Sequence, residues 1–118
     1  LCLKNSALII EHLGLHGISV SPHIFYQADG VQIDLILDRS DGVVTICEAK
    51  SHDSPYEFTK DDVARFHARR AALIKYMKTK RVPEKHINVC FITRHGLANN
   101  RYRQELNPLS VDLSQVLG

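Results

Sequence analysis

The sequence predicts one α/β domain whose elements follow in the order helix, strand, strand, strand, helix, strand. Two β-rich apolar runs, 31–39 and 43–50, are separated by a short polar turn, and a third run spans 87–93. Between them, residues from about 59 onwards carry apolar side chains at helical spacing. Because a strand that follows a long helix usually returns to its sheet by a crossover, we expect a mixed sheet flanked by helices.

The first elements are a helix and an irregular strand. Residues 1–13 have helix-forming content, and Gly14 is suited to end the helix. Residues 18–27 contain β-forming side chains around Pro22, and they lead to a predicted turn at Ala28-Asp29-Gly30.

The long helix has a clear start and a clear stop. Thr59 and Asp62 have the spacing at which side-chain oxygens take up the free N–H groups of a first helical turn. Pro83 prevents any continuation. One stripe of this helix is apolar and predicts its buried side: Val63, Phe66, Leu73, Ile74 and Met77.

The tail gives weaker signals. A loop is expected over 94–100 after the apolar run 87–93, and 109–111 has the composition of a short strand. Asp112 is suited to cap a short final helical turn.

Composition favours a protein with its own core and no membrane segment. The chain has 118 residues, 44% of them hydrophobic and 24% charged, with a net charge of +2. No window of about 18 apolar residues is present, and the first residues do not resemble a secretory signal, so a cytoplasmic location without membrane contact is expected. Three widely spaced cysteines without a CxxC pair favour reduced core thiols over a zinc or disulfide framework.

The turn Ser40-Asp41-Gly42 sets the register of the strongest hairpin. A three-residue loop requires a left-handed residue at Gly42 and places Arg39 opposite Val43. Counting outward, Asp34 then lies opposite Glu48. Side chains alternate along a strand, so two groups of residues should point to opposite faces: Asp34, Ile36, Ile46, Glu48 and Lys50 on one, and Ile33, Leu35, Leu37, Cys47 and Ala49 on the other.

Two opposed carboxylates suggest a metal ion. Their Cβ atoms would lie about 5 Å apart, and like charges so placed are destabilising unless a positive charge lies between them. Mg²⁺, with Mn²⁺ as its substitute, prefers oxygen ligands and is often held by one or two carboxylates plus water and phosphate. Lys50 is expected on the face of Asp34 and Glu48, where it could assist an attacking water. The competing interpretation is a solvent-side ladder of charges that pair with one another.

This arrangement resembles the PD-(D/E)xK nuclease superfamily, whose restriction-endonuclease-like fold has an αβββαβ core. The resemblance lies in Asp34 of "QIDLILDR" and in Glu48 and Lys50 of "CEAK". It implies that Asp34 and Glu48 bind Mg²⁺, that Lys50 is catalytic, and that DNA is cleaved. The pattern is relaxed in that Ile33 stands where the superfamily usually has proline.

A narrower resemblance concerns the C-terminal nuclease-like region of a family of prokaryotic AAA+ type ATPases. The stretches that carry it are "LCLKNSALIIEHLGLHGI", "GVQIDLILDRSDGVVTICEAK" and "EFTKDD". It implies that residues 1–118 are one nuclease-like domain, cut from a longer chain whose N-terminal ATPase domain is its partner. An acidic residue usual in the first helix of such domains is absent here.

Nucleic-acid contacts are expected from the start of the long helix. Lys and Arg are in excess between Arg65 and Lys85, where Glu84 is the only acid. We expect Lys60, Arg65 and Arg69 to reach a phosphate backbone, although a solvated helix face would have the same composition. The alternative to a nuclease is a non-cleaving module that binds nucleic acid or regulates the ATPase.

Overall fold

A computed structural model describes residues 6–15, 17–26 and 32–112. The helices are α1 (Ser6–His12), α2 (Lys60–Thr79) and α3 (Arg101–Leu106), and the strands are β1 (Val20–Tyr26), β2 (Gln32–Arg39), β3 (Val43–Lys50), β4 (His86–Thr93) and β5 (Leu109–Asp112). The predicted turn at 28–30, the first residues of the predicted N-terminal helix and Cys2 lie outside the described residues.

The five strands form one mixed sheet in the order β1-β2-β3-β4-β5. Strand β2 runs antiparallel to both β1 and β3, whereas β3, β4 and β5 are parallel to one another. The predicted α/β class, the mixed sheet and the αβββαβ order are therefore confirmed, and they are compatible with a restriction-endonuclease-like core. Helix α3 was not predicted. Asp112 is the last residue of β5, and the helical turn that it was expected to cap lies outside the described residues.

The hairpin of β2 and β3 has the predicted register. Leu35 pairs with Cys47 and Asp38 with Val44, as the three-residue turn requires. Gly42 has a φ of 85°, a conformation that glycine adopts at little cost. The paired residues end at Leu35 and Cys47, one position short of Asp34 and Glu48.

Beside Asp34, the pairing of β2 with β1 is interrupted by one extra residue on β2. His23 pairs with Ile36 and Phe25 with Ile33, so β1 advances by two residues while β2 advances by three. This bulge changes the alternation of side chains. Ile33 was predicted to share a face with Leu35, and this was wrong: it packs with Ile36 in the cluster that also contains residues of α2.

The sheet is covered on both faces. Ile9 of α1 packs with one set of strand residues, which includes Leu35, Cys47 and Cys90. The predicted stripe of α2 covers the other face, where Val63, Leu73 and Met77 are buried and Phe66 and Ile74 are partly buried against them. Leu106 of α3 joins this second face beside Phe58 and Phe91. Cys47 and Cys90 are buried in the core, as predicted.

Helix α2 begins as its sequence predicts. The Thr59 hydroxyl accepts a hydrogen bond from the Asp62 N–H, and the Asp62 carboxylate accepts one from the Thr59 N–H, which completes a capping box. None of the described helices has both the length and the apolar composition needed to cross a bilayer.

Candidate functional site

Glu48 and Lys50 lie at the carboxyl end of β3 and share the face covered by α2. The Lys50 ammonium is 3.0 Å from Glu48 Oε1. The second carboxylate oxygen, Oε2, accepts a hydrogen bond of 3.0 Å from the Arg69 guanidinium of α2. Both oxygens of Glu48 thus have a cationic partner.

Asp62 and Arg65 from the first turns of α2 complete a cluster of charges around Glu48. Arg65 Nη1 lies 3.1 Å from Asp62 Oδ1 and 3.7 Å from Glu48 Oε1, and Lys50 Nζ lies 3.8 Å from the same Asp62 oxygen. Two cations therefore bridge two carboxylates. We call Glu48, Lys50, Asp62, Arg65 and Arg69 the charge cluster, and its three cations and two anions give it a formal charge of +1.

The Asp62 side chain is only 2% exposed and is held by several donors. Besides Arg65, the Tyr56 hydroxyl donates to it at 2.8 Å and the Thr59 N–H at 2.8 Å. Burial alone would raise the pKa of the Asp62 carboxyl. The hydrogen bonds from Thr59 and Tyr56 and the charge of Lys50 outweigh burial, so this pKa lies below its ordinary value.

Tyr56 closes one side of the charge cluster. Lys50 Nζ lies 5.2 Å from the centre of the Tyr56 ring, a distance at which a cation is attracted to an aromatic face. Burial is the larger cause and the hydrogen bond to Asp62 the second cause of a rise in the pKa of the Tyr56 hydroxyl, which lies well above its ordinary value of 10.0. Tyr56 therefore remains a protonated donor to Asp62.

The three residues predicted to contact nucleic acid differ in their surroundings. Lys60 is exposed at the first position of α2. The side chain of Arg65 is 40% exposed, and that of Arg69 is 19% exposed and bonded to Glu48. Lys60 and the exposed part of Arg65 are open to a ligand, while Arg69 holds Glu48 in place.

Asp34 lies on β2 where the alternation of side chains is interrupted. It is exposed, whereas Ile33 and Leu35 on either side of it are fully buried in different clusters. Strict alternation, on which we based its predicted position beside Glu48, does not hold across this bulge.

The donor atoms around Glu48 suit Mg²⁺ in kind and are few in number. Carboxylate oxygens are the ligands this ion prefers. Within the described ranges, however, no group of three or more His, Cys, Asp or Glu side chains is placed to hold a metal. A metal at Glu48 would rely on a carboxylate pair with Asp34, and it would compete with Lys50, Arg65 and Arg69 for the oxygens of Glu48.

Asp62 and Tyr56 were not predicted to be members of the site. Asp62 was recognised as a helix-capping residue, and that local role accounts for its position without any reference to Glu48. The signal that could have revealed the second role is the Asp62, Arg65 and Arg69 spacing, which places one acid and two bases on one side of α2 near its start.

A scan of the chain against protein-family models finds no match, and a search of curated proteins finds none that is significantly similar. The protein is therefore an α/β protein with a mixed sheet. Its charge cluster lies between the carboxyl end of β3 and the start of α2.

Proposed function

We propose that this domain is a metal-dependent phosphodiesterase of the PD-(D/E)xK type that acts on DNA. The observation that carries the proposal is the pair Glu48 and Lys50, which share one face at the carboxyl end of β3, where Arg65 and Arg69 of α2 meet Glu48. The αβββαβ order of the elements supports it, because that order is the core of the superfamily that the sequence resembles.

The roles of Glu48, Lys50, Arg65 and Arg69 follow from their charge and position, and that of Asp34 is the one the resemblance to the superfamily implies. Asp34 and Glu48 would hold Mg²⁺, which when bound supplies a Lewis acid for a phosphate oxygen. The Lys50 ammonium would neutralise charge that develops on the phosphate during cleavage. Arg69 keeps the Glu48 carboxylate oriented, while Lys60 and Arg65 attract the nucleic-acid backbone.

Cleavage of a mixed DNA substrate in the presence of Mg²⁺ tests the proposal in the full-length protein. Substituting Glu48→Gln, Asp34→Asn or Lys50→Ala should reduce the rate at least about 100-fold, since each removes a charge that the reaction depends on. Undiminished cleavage by any of the three would reject the role of that residue.

Asp41→Asn is the matched control for the two carboxylates. Asp41 is an exposed acid in the β2–β3 turn, which is at the other end of β3 from Glu48, and it is paired with Arg39. Its substitution should leave the cleavage rate within about twofold of the wild type. Thermal denaturation of all four variants separates loss of chemistry from loss of folding.

A second candidate function is a non-cleaving module that binds nucleic acid or regulates an ATPase. The observation in its favour is that both oxygens of Glu48 are already engaged by cations of the chain itself. Titration calorimetry distinguishes the two: DNA binding without Mg²⁺ or Mn²⁺ uptake and without cleavage supports the module.

The setting of the domain is part of the same proposal. We place it as the nuclease-like portion of a longer prokaryotic ATPase of the AAA+ type, with the ATPase domain as its partner in the same chain. A cytoplasmic location follows from that setting, since a prokaryotic cell keeps its DNA there. Restoring the longer chain and assaying ATP hydrolysis with and without DNA tests this assignment.

A further inference from the structure

A row of three residues crosses the carboxyl ends of the parallel strands. Lys50 of β3 pairs with Thr93 of β4, and Thr93 pairs with Asp112 of β5. Paired residues of neighbouring strands project to the same face, and the strands lie about 4.8 Å apart. Thr93 is therefore the neighbour of Lys50 on the face of the charge cluster.

The side of the sheet on which Thr93 lies is confirmed by the packing of β4. Phe91, two residues earlier on the strand, pairs with Glu48 and packs against Phe58 and Val63 below the start of α2. Because side chains two residues apart share a face, Thr93 lies on this side as well.

The Thr93 hydroxyl is buried without a hydrogen-bond partner. The residue is only 2% exposed, and its Oγ1 finds no donor or acceptor within the described part of the chain. Leaving a buried hydroxyl unsatisfied is destabilising, so such a group requires an explanation.

Thr45 shows how the same residue type is satisfied elsewhere in the sheet. It is also fully buried, on β3 near the opposite end, and its Oγ1 accepts a hydrogen bond from Arg39. The unsatisfied threonine is thus the one at the carboxyl ends of parallel strands, where ligands of open α/β sheets bind.

We infer that the Thr93 hydroxyl positions the substrate by donating a hydrogen bond, directly or through one water molecule, to a phosphate oxygen of a nucleic-acid strand bound over Lys50. This inference rests on the proposed function of the charge cluster. A hydroxyl is a suitable donor because it adds no charge beside Lys50 and rotates to the oxygen presented to it. The bound phosphate or water then satisfies the hydroxyl that has no partner among the described residues.

The test compares Thr93→Val with Thr45→Val in the full-length protein. Valine keeps the size of threonine and removes only the hydroxyl. Binding of a fluorescent DNA oligonucleotide is measured by anisotropy at fixed salt with chelator present, so that cleavage plays no part, and thermal denaturation is recorded alongside.

Thr93→Val should bind DNA about tenfold more weakly, while its Tm stays the same or rises because an unsatisfied polar group has been removed. Thr45→Val should show the reverse, a lower Tm with unchanged binding, because it breaks the bond from Arg39. Thr93→Ser, which keeps the hydroxyl, should bind like the wild type, and it remains informative even if the valine variant folds poorly.

Three outcomes would overturn either the role of Thr93 or the proposed function. Equal DNA binding by the wild type, Thr93→Val and Thr93→Ser overturns the role of Thr93 alone, as does weak binding by Thr93→Ser in a stable protein. Absence of DNA binding by the wild-type protein, both with chelator and with Ca²⁺ added in place of Mg²⁺, overturns the proposed function together with this inference.

Discussion

At the scale of single residues, Asp62 shows how one carboxylate serves two structures at once. It caps α2 through the Thr59 N–H, and it contributes the second anion of the charge cluster through Lys50 and Arg65. Satisfying a buried carboxylate with several donors avoids the cost of an unpaired charge. The position of Asp62 therefore links the start of the helix to the carboxyl end of β3.

Asp62 should make the stability of the protein depend on pH in the acid range. A carboxyl whose pKa is lower in the folded than in the unfolded chain stabilises the fold fully above its ordinary value of 3.8, and this contribution is lost as the pH falls through the folded pKa. Asp62→Asn should lower the unfolding free energy by about 1–3 kcal/mol near neutral pH. Denaturant unfolding should show that the difference from wild type is constant above about pH 5 and shrinks as the pH falls below 3.8 towards the folded pKa.

Asp61→Asn is the control for this prediction, because Asp61 is exposed in the same turn of α2. Its effect should be small and nearly constant over the same pH range. A difference between wild type and Asp62→Asn that does not change with pH would contradict the assigned role.

At the scale of elements, the β2–β3 turn is the part of the hairpin that fixes its register. A turn of this type brings the strands together only if its last residue adopts a positive φ, as Gly42 does. A Cβ at Gly42 would meet no atom within 4 Å, so the need for glycine is conformational and not a matter of space.

Gly42→Ala should therefore destabilise the protein by about 1 kcal/mol through backbone strain alone. Gly42→Asn should cost less, because asparagine adopts the left-handed conformation more readily than alanine. Urea unfolding of the two variants measures the difference. Equal losses would show that strain at this position is not what matters.

At the scale of the whole molecule, the basic residues of α2 do not form one uniform surface. The start of the helix meets the charge cluster, whereas Lys78 lies exposed near its other end. Eighteen residues of α-helix separate Lys60 from Lys78 by about 27 Å. If DNA is bound over Lys50, only the first turns of α2 are near it.

Lys60→Ala should reduce the salt dependence of DNA binding by about one phosphate contact, seen as a slope smaller by about 1 in a plot of log affinity against log salt. Lys78→Ala should leave the slope unchanged. A change of equal size for both lysines would indicate binding along the whole helix, and no change for Lys60 would exclude it from the interface.

Local signals in the sequence determined a large part of this fold. The Ser40-Asp41-Gly42 turn and the period of two in the flanking runs set the strand register, and Thr59 with Asp62 set the start of α2. These features depend on residues within a few positions of one another, so their physics is contained in short stretches. The sequence also placed Glu48 and Lys50 on one face for the same reason.

Only the tertiary structure decided what surrounds those two residues. Arg69 lies 21 positions from Glu48, and its contact with the carboxylate depends on how α2 packs across the sheet. The extra residue of β2 beside Asp34 and the position of β5 beside β4 likewise depend on pairing with distant segments. The burial and the charge distribution at the site result from this packing of α2 and of the strands. A side chain's partners across a sheet are set by the sum of many apolar contacts and not by its neighbours in sequence.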